Sequence, residues 1–389
     1  MARSEPRNTL FPWRDGNRFK LFIDGDQFFP AMLDAIAAAE RYVLLEMYLT
    51  ESGTVANRFI AALVAAAERG VAVCLLLDDF GARGLQRTDR DWLQQSRINV
   101  IYFNRLHYGS LQRNFFRDHR KLLVVDGRVA YVGGMGIADH FAPPVHPERR
   151  WRETVVAVEG PVVSDWQDLF RETWRHVTDS GLALPALAEA KAVGNQWGRV
   201  SYSRGILYPE ISRMVINRIR KASRRVWMTT AYFVPSMKLR RSLRRAARRG
   251  VDVRLLVAGA HTDHPAVRHA GQRFYRRLLR HGVRIFEFQP RFTHSKVLLC
   301  DEWASIGSSN LDRWTLRWNL EANQEIADAA FADHVGTMLE ADFSQSRECL
   351  YSEWVSRPWY QRWKEGFWGW VDLWLLRIFH RPPRRRPRQ

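Results

Sequence analysis

The chain repeats itself, and this limits its fold more than any other feature does. Slid along itself, the sequence brings Phe59, Leu63, Ala66, Ala67, Gly70 and Val71 onto Leu239, Leu243, Ala246, Ala247, Gly250 and Val251 at one constant offset. Each segment reads as a helix, a glycine C-cap and then a strand. The strands, Val71 to Leu77 and Val251 to Val257, each follow an earlier apolar strand, Tyr42 to Leu49 or Val226 to Val234. Each half continues through a helix to a further strand, Ile98 to Phe103 or Val283 to Phe288, and then to a hairpin-like pair. The pairs are Lys121 to Val125 with Val129 to Gly133, and Lys296 to Cys300 with Ala304 to Ile306. Near-continuous apolar strands alternating with helices predict α/β layers around a largely parallel sheet, built twice.

The seam is expected between Leu182 and Gly198, where Ala and Leu alternate with Pro185, Gly194 and Gly198. This divides the 389 residues into an N-terminal extension (1–20), a first half (21–185), a second half (199–345) and a C-terminal segment (346–389). A formal net charge of +19 calls for a polyanionic partner, nucleic acid or an anionic membrane surface, and charge alone does not separate the two. Cys74, Cys300 and Cys349 are scattered and lack metal-ligand spacing, so neither a disulfide framework nor a zinc site is expected, and a reducing compartment fits. The polar N-terminus, with Arg3, Arg7 and Arg14, leads into no apolar core of a signal peptide, and no apolar run reaches the roughly 18 residues of a membrane span.

The chemistry is carried by a motif that also occurs twice. The first half contains His119-Arg120-Lys121-Leu122-Leu123-Val124-Val125-Asp126 followed by Gly133-Gly134. The second contains His294-Ser295-Lys296-Val297-Leu298-Leu299-Cys300-Asp301 followed by Gly307-Ser308-Ser309-Asn310. Residues two apart in a strand share a face, so each His projects with its Lys while the apolar residues behind them anchor the strand. Two imidazole–ammonium pairs suit phosphodiester transfer without a metal or other cofactor. One neutral histidine attacks phosphorus and the other, protonated, donates to the leaving alkoxide. Lys121, Lys296 and Asn310 are placed to hold the non-bridging oxygens. Asp126 and Asp301 close their motifs at the strand ends, and Asp126-Gly127 is a turn signal, so both read as structural although they belong to the motif.

This duplicated His-x-Lys-x4-Asp pattern resembles that of the phospholipase D superfamily, over about Leu21 to Asp342. The resemblance implies a pseudo-twofold α-β-α fold with both motifs at the interface of the halves, His119 as nucleophile and His294 as acid. It also implies an acidic residue after each motif that pairs with that motif's histidine. The matching positions are Glu153, in Trp151-Arg152-Glu153-Thr154, and Glu321, in Trp318-Asn319-Leu320-Glu321, with Glu325 a rival for the second. One departure stands out: where the superfamily usually places Asn in both halves, the first half has Gly136, so Asn310 lacks a counterpart.

Within the superfamily, Leu45-Glu46-Met47-Tyr48, Thr229-Thr230-Ala231-Tyr232-Phe233-Val234-Pro235, Gly307-Ser308-Ser309-Asn310-Leu311-Asp312 and Asn319-Leu320-Glu321-Ala322-Asn323 resemble bacterial cardiolipin synthases of the short class. That resemblance implies phosphatidyl transfer from one phosphatidylglycerol to another with release of glycerol, at the cytoplasmic face of the inner membrane. The same residues would serve a hydrolytic phospholipase D. A nuclease fits the charge, but the long chain and Trp-rich terminus disfavour a nucleic-acid partner, and no protein partner is indicated. Six tryptophans between Trp354 and Trp374, the apolar run Phe367 to Phe379 and the arginines from Arg377 to Arg388 read as a monotopic anchor for anionic lipid. The basic helix from Lys238 to Arg249 is a second lipid-facing candidate, though a solvated face accounts for it as well.

Overall fold

The computed structural model describes residues 10–106, 114–143, 146–178, 184–312 and 315–359, together with 363, 366–368, 370 and 371. In the first half, β1 (Arg14–Ile23), β2 (Tyr42–Met47), β3 (Ala72–Asp78) and β4 (Ile98–Phe103) are separated by α1 (Gly25–Ala37), α2 (Thr54–Glu68) and α3 (Arg87–Gln95). Then come β5 (Lys121–Val125), β6 (Val129–Gly133), β7 (Thr154–Glu159) and α4 (Val162–Val177). The second half begins with β8 (Gln196–Arg204), the short β9 (Tyr208–Pro209) and α5 (Glu210–Lys221). It continues with β10 (Arg225–Thr230), α6 (Met237–Arg248), β11 (Asp252–Ala258), α7 (Pro265–Gln272), α8 (Tyr275–Leu279) and β12 (Arg284–Phe288). Last are β13 (Val297–Cys300), β14 (Trp303–Gly307), α9 (Thr315–Trp318), β15 (Leu320–Ala327), α10 (Ala329–Ser344), β16 (Ser346–Glu348) and α11 (Tyr351–Ser356).

Read outward from the junction of β1 with β8, the strand order is β1-β7-β6-β5-β2-β3-β4 on one side and β8-β15-β14-β13-β10-β11-β12 on the other. The two series match strand for strand, so the repeat is a pseudo-twofold about the antiparallel β1–β8 pair. Parallel pairing is confined to β2, β3 and β4 and to β10, β11 and β12, and the ladders around them are antiparallel. The expectation of a largely parallel sheet thus holds for three strands per half. The reason lies in the connections: a parallel neighbour needs a helical crossover, whereas the tight Asp126-Gly127 turn between β5 and β6 forces an antiparallel hairpin.

The strands read as continuous apolar runs because both of their faces are buried. Leu122 and Val124 of β5 point into a core shared by both halves, and Leu123 and Val125 into the first half's own core. In β13, Val297 and Leu299 enter the shared core while Leu298 and Cys300 enter that of the second half. Helices α4 and α10 fill the shared core with Trp166, Phe170, Trp174, Phe331 and Leu339, and the Trp166 indole donates to Gln324 Oε1 of the other half at 2.8 Å.

The opening of the 346–389 segment completes the second half. β16 pairs with the edge of β12, and Trp354 of α11 is buried against Tyr275 with ring centroids 4.8 Å apart. Trp374 and the arginines from Arg377 onward lie outside the described residues.

Gly70 and Gly250, which end α2 and α6, have φ of +91° and +85°, and an added Cβ would meet nothing at either position. The need for glycine is therefore conformational alone. Gly70→Ala and Gly250→Ala should each cost about 1 kcal/mol, read as a lower urea midpoint at unchanged slope.

Candidate active site

Two short backbone bridges between the halves build the site. Asp118 pairs with Leu320, and Arg152 pairs with Thr293, each in parallel sense. In the first bridge the His119 N–H donates to Leu320 O at 3.0 Å and the Leu320 N–H to Arg117 O at 2.8 Å. In the second, the His294 N–H donates to Arg152 O at 2.8 Å and the Arg152 N–H to Phe292 O at 2.9 Å. Each histidine is thereby clamped one residue away from a glutamate of the opposite half.

The side chains follow. His119 Nδ1 lies 2.9 Å from Glu321 Oε1, out of line for a hydrogen bond, and His294 Nδ1 meets Glu153 Oε2 at 2.6 Å. The expected pairing within each motif is therefore corrected: Glu321 serves His119, Glu153 serves His294, and the two pairs cross between halves. The backbone bridges dictate this exchange. Glu325 takes no part, because it binds the Arg199 guanidinium at 3.0 and 3.1 Å, two strand-face periods beyond Glu321. With each Nδ1 turned to a carboxylate, each Nε2 is left for chemistry.

Lys121 Nζ donates to His119 O at 2.5 Å and sits 5.0 Å from the centre of the Tyr48 ring. Lys296 Nζ lies 2.9 Å from His294 Nδ1, reaches His294 O, and is 3.8 Å from Glu153. Five of the six ionisable groups are buried and His119 is mostly so, and loss of solvent dominates their titration. It raises Glu153 to about 7 and Glu321 to about 8, against the pull of Lys121 and Lys296. It lowers Lys121 to about 7 and lowers Lys296 as well. Both histidines fall well below their ordinary value, through burial first and then repulsion by both lysines. Buried surroundings of this kind favour neutral imidazole, and an adjacent phosphodiester anion favours the charged lysines and imidazolium.

Asn310 is buried, and its Oδ1 has no hydrogen-bond partner among the described residues. In the first half Gly136 stands at the equivalent place, where a Cβ would come within 2.8 Å of Leu49 Cβ and 3.0 Å of Leu49 O. An asparagine would clash there, so the missing counterpart is enforced by packing. Asp126 and Asp301 are set apart from this cluster at the far ends of β5 and β13. Asp126 accepts from the N–H groups of Glu40, Arg41 and Tyr42 at 2.9, 2.8 and 2.9 Å, and Asp301 from those of Ser223, Arg224 and Arg225 at 2.9, 2.9 and 3.0 Å. Both hold φ near +54° as turn residues.

Several contributors carry no signal in a linear reading. Arg152 is fixed to Asp342 at 3.0 and 2.9 Å across the interface, and Thr154 Oγ1 and Ser295 Oγ are 2.7 Å apart. His294 lies within an aromatic wall of Phe141, Trp151 and Phe292, with ring centroids 5.7, 5.2 and 5.8 Å away. Tyr48 packs edge-on to His119 at 4.7 Å. Of these, Tyr48, Trp151, Arg152, Thr154 and Ser295 stood in segments with a visible pattern, though nothing in the pattern gave them a role. Among the described residues, no group of three or more His, Cys, Asp or Glu is arranged to hold a metal ion, and no helix is long and apolar enough to cross a membrane.

This fold and pair of His–Lys motifs at a pseudo-twofold interface define a phospholipase D-like protein. Residues 32–174 and 215–343 match the family model described as cardiolipin synthase, PLD-like domain, and the chain belongs to that family. It is 35% identical over 365 residues to cardiolipin synthase A of Pseudomonas putida (strain W619), covering 89% of this chain and 72% of the relative. It is 36% identical over 333 residues to cardiolipin synthase B of Salmonella typhi, covering 82% and 78%. Among solved structures, phosphatidylserine synthase of Haemophilus influenzae Rd KW20 matches with a TM-score of 0.65 at 13% identity, over 86% of this chain and 88% of that one. Polyphosphate kinase of Porphyromonas gingivalis matches at 0.59 and 15%, over 86% and 49%. At such identities these two show the fold alone.

Burial raises the Glu153 carboxyl from its ordinary 4.5 to about 7. A group whose folded pKa is raised contributes stability that is complete below the unfolded value and lost as pH rises through the folded one. Glu153→Gln, neutral throughout, should therefore gain on the parent in melting temperature as pH rises from 5 to 8.5. A difference between the two proteins that is flat across this range would contradict the reading.

Proposed function

We propose that the chain is a cardiolipin synthase that moves a phosphatidyl group from one phosphatidylglycerol to the glycerol hydroxyl of another. The observation that carries this reading is the exchange of His–Glu pairs between halves, which gathers both histidines and both lysines at one interface. The relatives named cardiolipin synthase supply the substrate class.

In the first step His119 Nε2 attacks phosphorus, the P–O bond to glycerol breaks, and His294, as imidazolium, gives its proton to the departing alkoxide. Glycerol leaves a phosphatidyl group on His119. In the second step neutral His294 takes the proton of an incoming glycerol hydroxyl, whose oxygen attacks phosphorus as the P–N bond breaks. His119 is restored neutral and His294 protonated, so the cycle closes. Lys121, Lys296 and the Asn310 amide face the non-bridging oxygens and oppose the charge that gathers on them. Glu321 and Glu153 fix the imidazole tautomers and stabilise the charge each ring carries in turn. The donors required for this charge are protein side chains, so the chemistry asks for no divalent ion. The enzyme would work as a peripheral protein of an anionic membrane, on the cytoplasmic face.

His119→Ala and His294→Ala should each lower turnover by at least about 1000-fold while leaving the melting temperature within a few degrees. A quenched reaction should trap phosphate on His119, and phosphate on His294 would reverse the two roles. With phosphatidylglycerol as sole substrate, glycerol and cardiolipin should form in equal amounts. Phosphatidic acid as the main product would make the protein a hydrolase. Activity should survive chelation in detergent micelles.

A further inference from the structure

We infer that the outer face of α6 and α8 is a docking surface for an anionic phospholipid bilayer. Helix α6 reads Met237-Lys238-Leu239-Arg240-Arg241-Ser242-Leu243-Arg244-Arg245-Ala246-Ala247-Arg248, with six basic residues and no acidic one. Leu239, Leu243 and Ala246 face the core, which leaves Arg241, Arg245 and Arg248 exposed on the opposite side. Helix α8 packs beside α6 and presents Arg276 and Arg277 with Arg280 just beyond. An open depression of about 860 Å³ between them is lined by Arg248, Arg273, Arg276, Arg277, Arg280 and His281.

A solvated helix face ordinarily intersperses the two signs of charge, and the basic face of α6 and α8 does not. Among the described residues no carboxylate forms an ion pair with Arg241, Arg245, Arg248, Arg276, Arg277 or Arg280, although the first half pairs its surface arginines repeatedly, Arg18 with Glu159 and Arg128 with Glu40 among them. The Arg244 guanidinium is pushed down by burial and then by Arg277, Arg248, Arg241 and Arg245. Such mutual repulsion costs stability, and an external array of negative charge relieves it.

Two observations favour a bilayer over a nucleic acid. The arginine face continues into an exposed aromatic segment, because α11 docks on α8 through Trp354 and Tyr275, and beyond it Trp359, Trp363 and Trp370 are 72, 63 and 61% exposed. Tryptophan beside arginine is the composition of a headgroup interface. The basic strip also begins, at the exposed Met237, five residues along the chain from Tyr232, which touches the aromatic wall around His294 through Phe292, at 6.3 Å between ring centroids. Running on for about 18 Å along α6, it would lay that wall beside the lipid from which a diacyl substrate must come.

This surface extends the phosphatidyl-transfer reading without depending on it, because binding is measured apart from turnover. The test compares the full chain with Arg245→Gln/Arg248→Gln/Arg276→Gln/Arg277→Gln. An equal charge change at Arg58→Gln/Arg87→Gln/Arg97→Gln/Arg128→Gln serves as control. Each basic side chain near an anionic leaflet is worth roughly a factor of five in affinity. The first variant should bind vesicles of phosphatidylglycerol and phosphatidylcholine roughly 600-fold more weakly than the parent. The control should lose at most a few-fold, roughly what lowered net charge alone would bring, and the first variant's activity in detergent micelles should be unchanged. Equal loss by both variants, or none by the first, would overturn the proposal. So would a micellar activity or melting temperature that falls with the first variant, and so would a DNA oligonucleotide that the parent binds more tightly than vesicles in a variant-sensitive way.

Discussion

The whole arrangement hangs on two backbone bridges, Asp118 with Leu320 and Arg152 with Thr293. Each joins the residue that leads into a His–Lys motif to the start of a strand in the opposite half. Because these are main-chain hydrogen bonds in a buried interface, breaking either would leave donors and acceptors unpaired away from water. They consequently fix His119 over Glu321 and His294 over Glu153, and they make neither half competent alone. The cross-interface ion pair of Arg152 with Asp342 and the Trp166–Gln324 hydrogen bond reinforce the same docking.

Holding two lysines, two histidines and two glutamates in one buried cluster is electrostatically expensive, and the directions of titration record the cost. Carboxylates are pushed up, lysines and imidazoles down, so burial acts on every member against its charged form. A phosphodiester changes the balance by bringing negative charge among the lysines. Negative charge beside them favours the charged forms of the lysines and imidazoles that burial alone disfavours.

The pseudo-twofold relates seven strands of each half and is broken in chemistry. Ser308 donates its hydroxyl to Glu321, whereas the equivalent Gly134 lies so close to Glu153 that a Cβ would come within 2.5 Å of Oε2. One glutamate therefore gains a hydroxyl donor, and the other gains room and a backbone donor, the N–H of Thr154 at 2.8 Å. The two histidines therefore sit in different surroundings, as the proposed nucleophile and acid roles would require. The substitution of Gly136 for asparagine extends the same asymmetry to the phosphate contacts.

From the sequence alone came the repeat, the two halves, the order of strands around each motif, and the identities of His119, Lys121, His294, Lys296, Glu153 and Glu321. These were legible because helix and strand periodicities and His-x-Lys spacing are local properties, set by backbone geometry within a few residues. Asp126 and Asp301 were legible as turn residues for the same reason. Only the tertiary structure decided which glutamate serves which histidine, that the parallel strands number three per half, and that Trp354 belongs to the core with Trp368 packed on it while Trp359, Trp363 and Trp370 are exposed. These depend on contacts between segments far apart in the chain, and on which face of an element finds a partner. Nothing in the local pattern of Trp151-Arg152-Glu153 encodes that its carboxylate crosses to the other half, since the bridge that carries it there exists only once both halves have folded and docked.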